Sequence, residues 1–429
     1  MTCLEWVQHR EIMVKSAINF LFENSIFLIV GAIVALVWAN TDTESYKHLL
    51  HLGLFENPFF YDHNYFNEQV SAGVENPVKM FTLHYLVNDV FMALFFAIAG
   101  KEVFEATLPG GALSNFRTAA TPLIATIGGM TGPALTYLAA AYFMVENFSD
   151  YSNGWAIPCA TDIAFSYLVA RIVFGGGHPA IPFLLLLAIA DDALGLIILA
   201  VFYPQGEMAI HFMILPIIGA GIGVMMRSKG VKSFWPYLLG PGVISWCGFA
   251  LSGLHPALGL LPIIPTLPHA SSDKGLFNWE EMKCHDTLND FEHWWKNPVE
   301  IVLGLFGLLN AGVVMESVGP ATTFVLLGLF VGKPIGIWLC GVFASNVLGF
   351  GLPEGMSKRD LWVLGCAAGI GFTVALFVAS VAFPPGQIQD AAKMGALASF
   401  GAAFLTVISA KVLRVKKVEG APAGHGHGH

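Results

Sequence analysis

The amino-acid sequence predicts an all-α polytopic membrane protein with about 12 transmembrane helices. The chain of 429 residues is 55% hydrophobic and only 12% charged, whereas ordinary globular proteins have about 25% charged residues. Apolar runs of 17 or more residues recur from end to end, and a run of that length crosses a bilayer core of about 30 Å. A few of these runs contain ionisable residues, which are costly in lipid and therefore indicate a functional site.

The apolar runs divide the chain into three parts. We expect a short amphipathic, cytoplasmic segment over 1–23, a single transmembrane domain over 24–414, and a disordered tail of Gly and His over 415–429. The membrane domain leaves no room for a separate catalytic domain, so the sequence predicts that the protein is not an enzyme. The twelve candidate spans are 24–40, 84–104, 118–144, 155–174, 180–203, 209–226, 235–250, 252–268, 298–316, 320–347, 360–383 and 391–413.

The basic residues predict the orientation of these spans. Lys and Arg are enriched in cytoplasmic loops of membrane proteins. With both termini in the cytoplasm, nearly all loop Lys and Arg residues fall inside, and the outer loops hold little beyond Lys47 and Lys79. The long first outer loop contains the aromatic and acidic stretch FENPFFYDHNYFNEQV. It predicts either a small hairpin or interfacial element that contacts another subunit, or a plain ordered loop.

Four ionisable residues lie well inside the candidate spans: Asp162, Asp191, Asp192 and Lys333. Neighbouring residues on an α-helix point about 100° apart, so Asp191 and Asp192 cannot face the same direction. Lys333 is the expected partner of one of them, because a buried ammonium needs an opposite charge. A purely structural ion pair would leave one aspartate of the pair, and also Asp162, without a cation. A proton or a small bound cation supplies the missing charge, and a site that takes either one can exchange them.

Two spans contain residues that interrupt a helix. Pro158 precedes Asp162 by four residues, and Gly369 and Gly371 lie inside the eleventh span. Broken helices at membrane depth form ion sites in secondary transporters, although the two glycines alone are equally explained by close helix packing. The breaks fall in the fourth and eleventh spans, so spans three to five and ten to twelve are candidates for inverted-topology repeats with two discontinuous helices.

From about Asn24 to Arg414 the chain resembles the NhaA family of sodium/proton antiporters, a known example of inverted-repeat transporters. Several motifs carry the resemblance in their joint order along the chain. They are VNDVFMALFFAIAGKEV, AATPLIATIGGMTGPALTYL, GWAIPCATDIAF, AIADD, GLLNAGV, GKPIG and GIGFTVALFVASVAF.

The resemblance implies a role for each candidate site residue. It implies that Asp191 and Asp192 bind Na⁺ and protons, and that Lys333 is the partner of Asp191. Asp162 and Thr161 would be polar groups where two broken helices cross, and Asp89 a buried supporting group rather than a ligand. The positions that match the family's pH-sensing cluster are Glu102, Glu292 and His293.

That cluster also differs from the family pattern, which puts the pH profile in question. Lys101 precedes Glu102 and Phe104 follows it, where the family usually has basic residues after the glutamate. Lys296 and Asn297 replace a second histidine.

The sequence therefore predicts an antiporter of the bacterial inner membrane that exports Na⁺, and Li⁺ too, in exchange for inward protons. We expect alternating access, electrogenic exchange, no cofactor, no nucleic-acid partner, and a homodimer, the last from the resemblance alone. Two other classes were weighed. An intramembrane aspartyl protease needs two aspartates that share a proton, which Lys333 would prevent. A sodium-coupled symporter of an organic solute needs a roomier site with groups for the solute.

Overall fold

The computed structural model describes residues 25–74, 76–114, 116–205, 208–269 and 286–418, and these are mostly helical. Six of the described helices are long and apolar enough to cross a membrane, or eight if each of two bent helix pairs forms one span. The predicted class of polytopic helical membrane protein is confirmed. The predicted count of twelve spans is not confirmed by helix length and composition.

The helices are labelled in chain order, and segments with local π-helical or 3-10 geometry are included in the longer helices. The exceptions are the turn Trp235–Tyr237 and the π-helical segment Leu238–Gly242, which directly precede α10. Together the helices form the membrane domain, and two short strands accompany them. The helices are α1 (Ile26–Thr41), α2 (Thr43–Leu50), α3 (His63–Ser71), α4 (Leu83–Thr107), α5 (Phe116–Met144), α6 (Phe148–Cys159), α7 (Ile163–Phe174), α8 (Ala180–Phe202), α9 (Ile210–Ser228), α10 (Val243–Ser252), α11 (Thr287–Asn310), α12 (Pro320–Asn346), α13 (Lys358–Ala368), α14 (Phe372–Ala382), α15 (Gln387–Ala398) and α16 (Gly401–Leu413).

Two helix pairs are sharply bent where the sequence predicts interruptions. Helices α6 and α7 meet at 53°, and α13 and α14 meet at 51°. Pro158 lies in the last, 3-10 turn of α6, where it cannot donate a hydrogen bond to continue the helix. Gly369 ends α13 and Gly371 precedes α14. Both breaks therefore expose helix ends inside the membrane domain.

The first long loop folds into a small strand pair with a helix between the strands. Strand β1 (Gly53–Glu56) pairs antiparallel with β2 (Met80–Thr82), with Phe55 opposite Phe81. Helix α3 begins after Asp62, whose carboxylate accepts hydrogen bonds from the N–H groups of Asn64 and Tyr65. Of the alternatives left open for this loop, the structure shows a small strand pair.

Helix α12 packs tightly on α5 through facing glycines. A Cβ atom at Gly336 would overlap the carbonyl oxygen of Gly128, and one at Gly132 would overlap that of Gly332. Small residues of this kind let helix backbones approach closely in membranes, where packing rather than water exclusion drives association. This contact fixes the position of Lys333, which follows Gly332 directly in α12.

The eighth candidate span is not a regular helix, and the two predicted terminal segments lie largely outside the described residues. The eighth candidate span, 252–268, contains only the 3-10 turns Pro256–Leu258 and Leu261–Thr266 after the end of α10. Its prolines remove the backbone donors that a regular helix needs. The segment 1–23 and the tail beyond Val418 lie outside the described residues. Of the remaining tail, Val418 donates its N–H to the Phe174 carbonyl at 2.8 Å.

Candidate ion-binding site

Lys333 and Asp191 form a buried ion pair at the centre of the site. The Lys333 ammonium lies 3.0 Å from Asp191 Oδ2, and both side chains are almost fully buried. Lys333 also donates a hydrogen bond to the carbonyl oxygen of Cys159 at the end of α6. The other carboxylate oxygen, Asp191 Oδ1, has no hydrogen-bond partner among the described residues. Removing either charge would leave the other buried and unpaired, which costs several kcal/mol.

Asp192 takes no part in this ion pair. It lines a cavity of about 20 Å³ together with Asp191 and with apolar residues that include Phe95, Phe96 and Val374. A cavity of this size admits about one water molecule or one small ion. No hydrogen bond or ion pair joins Asp192 to any part of the chain that the structure describes. The two neighbouring carboxylates thus differ in their surroundings, as the 100° step between them predicts.

The breaks in the two bent helix pairs contact each other. Asp162 donates its N–H to the Ile370 carbonyl at 2.7 Å, and the Thr161 hydroxyl donates to the Ala368 carbonyl at 3.2 Å. The Asp162 carboxylate accepts hydrogen bonds from the N–H groups of Phe165 and Thr373 and from the Thr373 hydroxyl. It therefore caps the first turns of both α7 and α14.

These contacts account for the charge of Asp162 without a bound cation. The N-terminus of a helix carries a partial positive charge, and the C-terminus a partial negative one. The carboxylate of Asp162 lies at two such positive ends, and the Lys333 ammonium lies at the negative end of α6, beside Cys159. Of the carboxylates that the sequence left without a cation, only Asp192 therefore still lacks a partner.

Of the predicted pH-sensing residues, Glu102 lies near the C-terminal end of α4, and Glu292 and His293 lie near the start of α11. Lys101 forms ion pairs with Glu105, at 2.5 Å, and with Glu292 of α11. Glu102 is partly buried, and His293 is exposed to solvent. Glu292 therefore contacts the lysine that precedes Glu102 in α4. Lys101, the basic residue that precedes Glu102 in this sequence, therefore joins α4 to α11.

Asp89 lies near the other end of α4, in a π-helical segment that spans Leu86–Phe91. Its backbone carbonyl accepts a hydrogen bond from Trp246 Nε1 at 2.9 Å. The residue is 6% exposed, and it does not line the cavity that contains Asp191 and Asp192. The structure therefore does not bring Asp89 into the ion-binding site.

Sequence reasoning missed Lys101 and Glu105 as partners of the α4–α11 contact, and Thr373 as a partner of Asp162. The sequence showed that Lys101 differs from the family pattern, but it did not show which residues Lys101 contacts. Glu105 lies four residues after Lys101, a spacing that predicts an ion pair on one helix face. Thr373 gives no such signal, because it meets Asp162 across 211 positions of the chain.

The fold and this site define a polytopic membrane protein with buried, partly unpaired carboxylates at broken helices, as in secondary ion transporters. The sequence pattern of the Na⁺/H⁺ antiporter 1 family matches residues 17–410. The chain belongs to this family, which confirms the resemblance seen in the sequence.

Individual relatives cover almost the whole chain. A Na⁺/H⁺ antiporter NhaA from Jannaschia sp. is 53% identical over 94% of this chain and 99% of its own length. Relatives of the same name from Desulfitobacterium hafniense and Geobacter sulfurreducens are 44% and 43% identical, each over 94% of this chain and over 98% and 100% of their own lengths.

Proposed function

We propose that this chain is a secondary active antiporter that exports Na⁺, and Li⁺ as well, in exchange for inward protons. Its family membership and the names of its relatives support the exchange of these ions. The observation that carries the proposal for the site is Asp192, a carboxylate in a one-ion cavity without a hydrogen bond or ion pair among the described residues. The comparisons give no support to a sodium-coupled symporter.

In the proposed cycle, Na⁺ from the cytoplasm enters the cavity at Asp192 and binds the carboxylates of Asp192 and Asp191. Oxygen ligands are the natural shell of such an ion. Because Lys333 already pairs with Asp191, bound Na⁺ weakens this ion pair, and protons on the carboxylates must leave. Lys333 also excludes the shared proton that an aspartyl protease requires. The proteolytic alternative therefore has no support at this site.

Transport requires that the site open to each side of the membrane in turn. The bent pairs α6–α7 and α13–α14 support alternating access, because short helix halves meet at the site and are capped by Asp162 and Lys333. One bundle rocks against the other, and protons from outside displace Na⁺ there. If Lys333 releases a proton as well, more than one proton moves for each Na⁺, and exchange is electrogenic.

Activity falls at low pH in this scheme, because a protonated carboxylate does not bind Na⁺. We propose that Glu102, near the cytoplasmic end of α4, and Glu292 and His293, near the start of α11, adjust this response. The ion pairs of Lys101 with Glu105 and Glu292 tie α4 to α11. An ion pair of this kind depends on pH and on salt, so the α4–α11 contact links pH to the position of the helix that contains Glu102.

The wider architecture is proposed with the function. We propose twelve spans, with inverted repeats formed by spans three to five and ten to twelve and crossing breaks in the fourth and eleventh. We propose a homodimer in the bacterial inner membrane with both termini in the cytoplasm, without a resident cofactor. The transported ions are Na⁺, Li⁺ and H⁺.

The test is Na⁺-dependent proton movement in proteoliposomes, followed with a pH-sensitive dye between about pH 6 and pH 9. We expect Na⁺ to dissipate an imposed pH gradient with the native protein, and Asp192→Asn to abolish the response. Asp150→Asn is the matched control, because Asp150 is exposed and the substitution removes the same charge. A response of Asp192→Asn equal to that of the control contradicts the proposed role of Asp192.

A further inference from the structure

A second cavity, of about 210 Å³, lies at the N-terminal end of α4, far from Lys101 and Glu102. We call it the loop-side cavity, because residues of the first long loop form its mouth. The segments that line it contribute two carboxylates and three imidazoles. These are Asp62, Asp89, His63, His84 and His255.

One of the two carboxylates already has its partners. Asp62 Oδ2 accepts a hydrogen bond from the Thr82 hydroxyl at 2.6 Å and lies 3.0 Å from His84 Nδ1. Burial alone would raise the pKa of Asp62, but the neighbouring His84, the hydroxyl and the backbone N–H groups lower it to about 2. Asp62 is therefore an ionised, fully partnered group, and it does not need a cation from solution.

Asp89 lacks such partners. Its Oδ1 is buried and has no hydrogen-bond partner among the residues that the structure describes. The nearest basic group is His255, whose Nδ1 lies 3.6 Å away. This nitrogen accepts a hydrogen bond from the Ala257 N–H at 3.2 Å, so it carries no proton to donate. That hydrogen bond uses the single lone pair of the nitrogen, so His255 gives the Asp89 carboxylate neither a proton nor a positive charge.

The geometry at Asp89 suits a small cation. The 3.6 Å between His255 Nδ1 and Asp89 Oδ1 is too long for a direct hydrogen bond, so this carboxylate oxygen remains open to the cavity. The cavity of about 210 Å³ also has room for the water molecules that complete a cation's shell. The π-helical turn that bears Asp89 is a type of distortion found frequently at functional sites.

The loop-side cavity is separated from Asp192 by an aromatic contact. Phe96 lines the small cavity at Asp192, and Phe377 lines the loop-side cavity. Their rings meet edge to face at 5.0 Å, and Phe377 also contacts the His255 ring at 4.8 Å. Asp89 therefore lies immediately beyond this contact on the path from Asp192 to the first loop.

We propose that the Asp89 carboxylate, with water molecules in the loop-side cavity, forms a second binding site for monovalent cations, at which Na⁺ and a proton compete. The proposal rests on the proposed exchange of Na⁺ for protons, since it places this site on the exit path from Asp192. It replaces the expectation that Asp89 is only a supporting group. The other titratable groups that face the cavity are Asp62, His63 and His84, and none of them lies within ion-pair distance of Asp89.

The experiment measures binding without transport. The purified full-length chain carrying Asp191→Asn and Asp192→Asn is incubated with radioactive sodium at alkaline pH, and bound sodium is counted. We expect up to one sodium per chain to remain in this background, and Asp89→Asn to remove it. Na⁺ added at neutral pH should release protons from the background protein but not from the triple variant. Asp89→Glu should retain the sodium.

The matched control is Asp62→Asn in the same background, which changes the other carboxylate of the cavity and keeps a residue suited to cap α3. It should bind as much sodium as the background. The proposal is overturned if the background, eluting as a monodisperse peak, binds no sodium, or if the Asp89→Asn and Asp62→Asn variants bind equally. Loss of transport in Asp192→Asn tests the exchange site separately, so the two proposals can fail independently.

Discussion

Asp191 and Asp192 are neighbours in the sequence, yet they have different chemical surroundings. Asp191 is held by the Lys333 ammonium, and Asp192 faces a cavity with room for one ion. A helix turns by about 100° per residue, so one step along α8 separates a paired carboxylate from an unpaired one. The pair thus gives a site in which Lys333 compensates one carboxylate before an ion binds, while the other carboxylate is available to a transported ion.

The ion pair of Lys333 leads to a prediction about stability. Lys333→Met keeps a side chain of similar length, but it leaves Asp191 charged and buried and removes the hydrogen bond to the Cys159 carbonyl. We expect the substitution to destabilise the folded protein by about 3–5 kcal/mol. The measurement is the midpoint of thermal unfolding in detergent, followed by tryptophan fluorescence at alkaline pH.

The control for this prediction removes both charges. Asp191→Asn combined with Lys333→Met leaves no unpaired charge, so the double variant should unfold at a higher temperature than Lys333→Met alone. Equal midpoints for the single variant and the native protein would show that the pair contributes little to the folded state.

Other residue contacts could not be predicted from the sequence. Asp162 was interpreted as a group in need of a cation, because the sequence shows its depth in the membrane but not its donors. Its partner Thr373 belongs to a distant helix. The contact of Lys101 with Glu292 spans 191 positions and has no local signal either. Charge inside an apolar run is therefore visible in the sequence, whereas the group that compensates it is set by the tertiary fold.

Among the elements, the two bends were predictable because their causes are local. Pro158 lacks the backbone N–H that would continue the helix, and Gly369 and Gly371 give the backbone more conformational freedom at the second bend. The π-helical segments Leu86–Phe91 and Gly328–Gly332 were not predicted. An inserted residue of this kind does not change the apolar pattern, so only the structure reveals that it turns Asp89 toward the loop-side cavity.

The contact of α5 with α12 leads to a prediction about packing. A Cβ at Gly336 would overlap the carbonyl oxygen of Gly128 and approach the Cα of Gly132 to 3.1 Å. Gly336→Ala must therefore separate two helix backbones, and such overpacking costs about 1–3 kcal/mol or more. Because Lys333 precedes this contact on α12, we expect both a lower unfolding midpoint and weaker Na⁺-dependent proton movement in proteoliposomes.

Gly221→Ala serves as the matched substitution, since a Cβ there meets nothing within 4 Å on helix α9. An alanine also favours the helix by about 1 kcal/mol over glycine. The control should therefore match or exceed the native midpoint and retain transport. If Gly336→Ala behaves like Gly221→Ala, close approach of α5 and α12 does not hold Lys333 in place.

At the scale of the whole molecule, two cavities lie on opposite sides of one aromatic contact. The small cavity at Asp192 includes Phe96, and the loop-side cavity includes Phe377. The two rings are buried and lie 5.0 Å apart. An exchanger must never connect its two aqueous sides at the same time, because ions and protons would then flow without coupling. We infer that the Phe96–Phe377 contact belongs to the apolar layer between the two cavities.

This arrangement predicts a proton leak when the layer is opened. Phe377→Ala removes the ring that touches both Phe96 and His255, so water can join the two cavities. Proteoliposomes without Na⁺ and with an imposed membrane potential should show proton influx with this variant but not with the native protein.

Phe306→Ala is the matched control, because Phe306 is fully buried and its ring centroid lies 6.1 Å from that of Phe377, but it lines neither cavity. Both truncations should cost about 3–5 kcal/mol of stability, whereas only Phe377→Ala should leak. Equal leaks from both variants, or a tight Phe377→Ala, would mean that the barrier between the two sides lies elsewhere in the molecule.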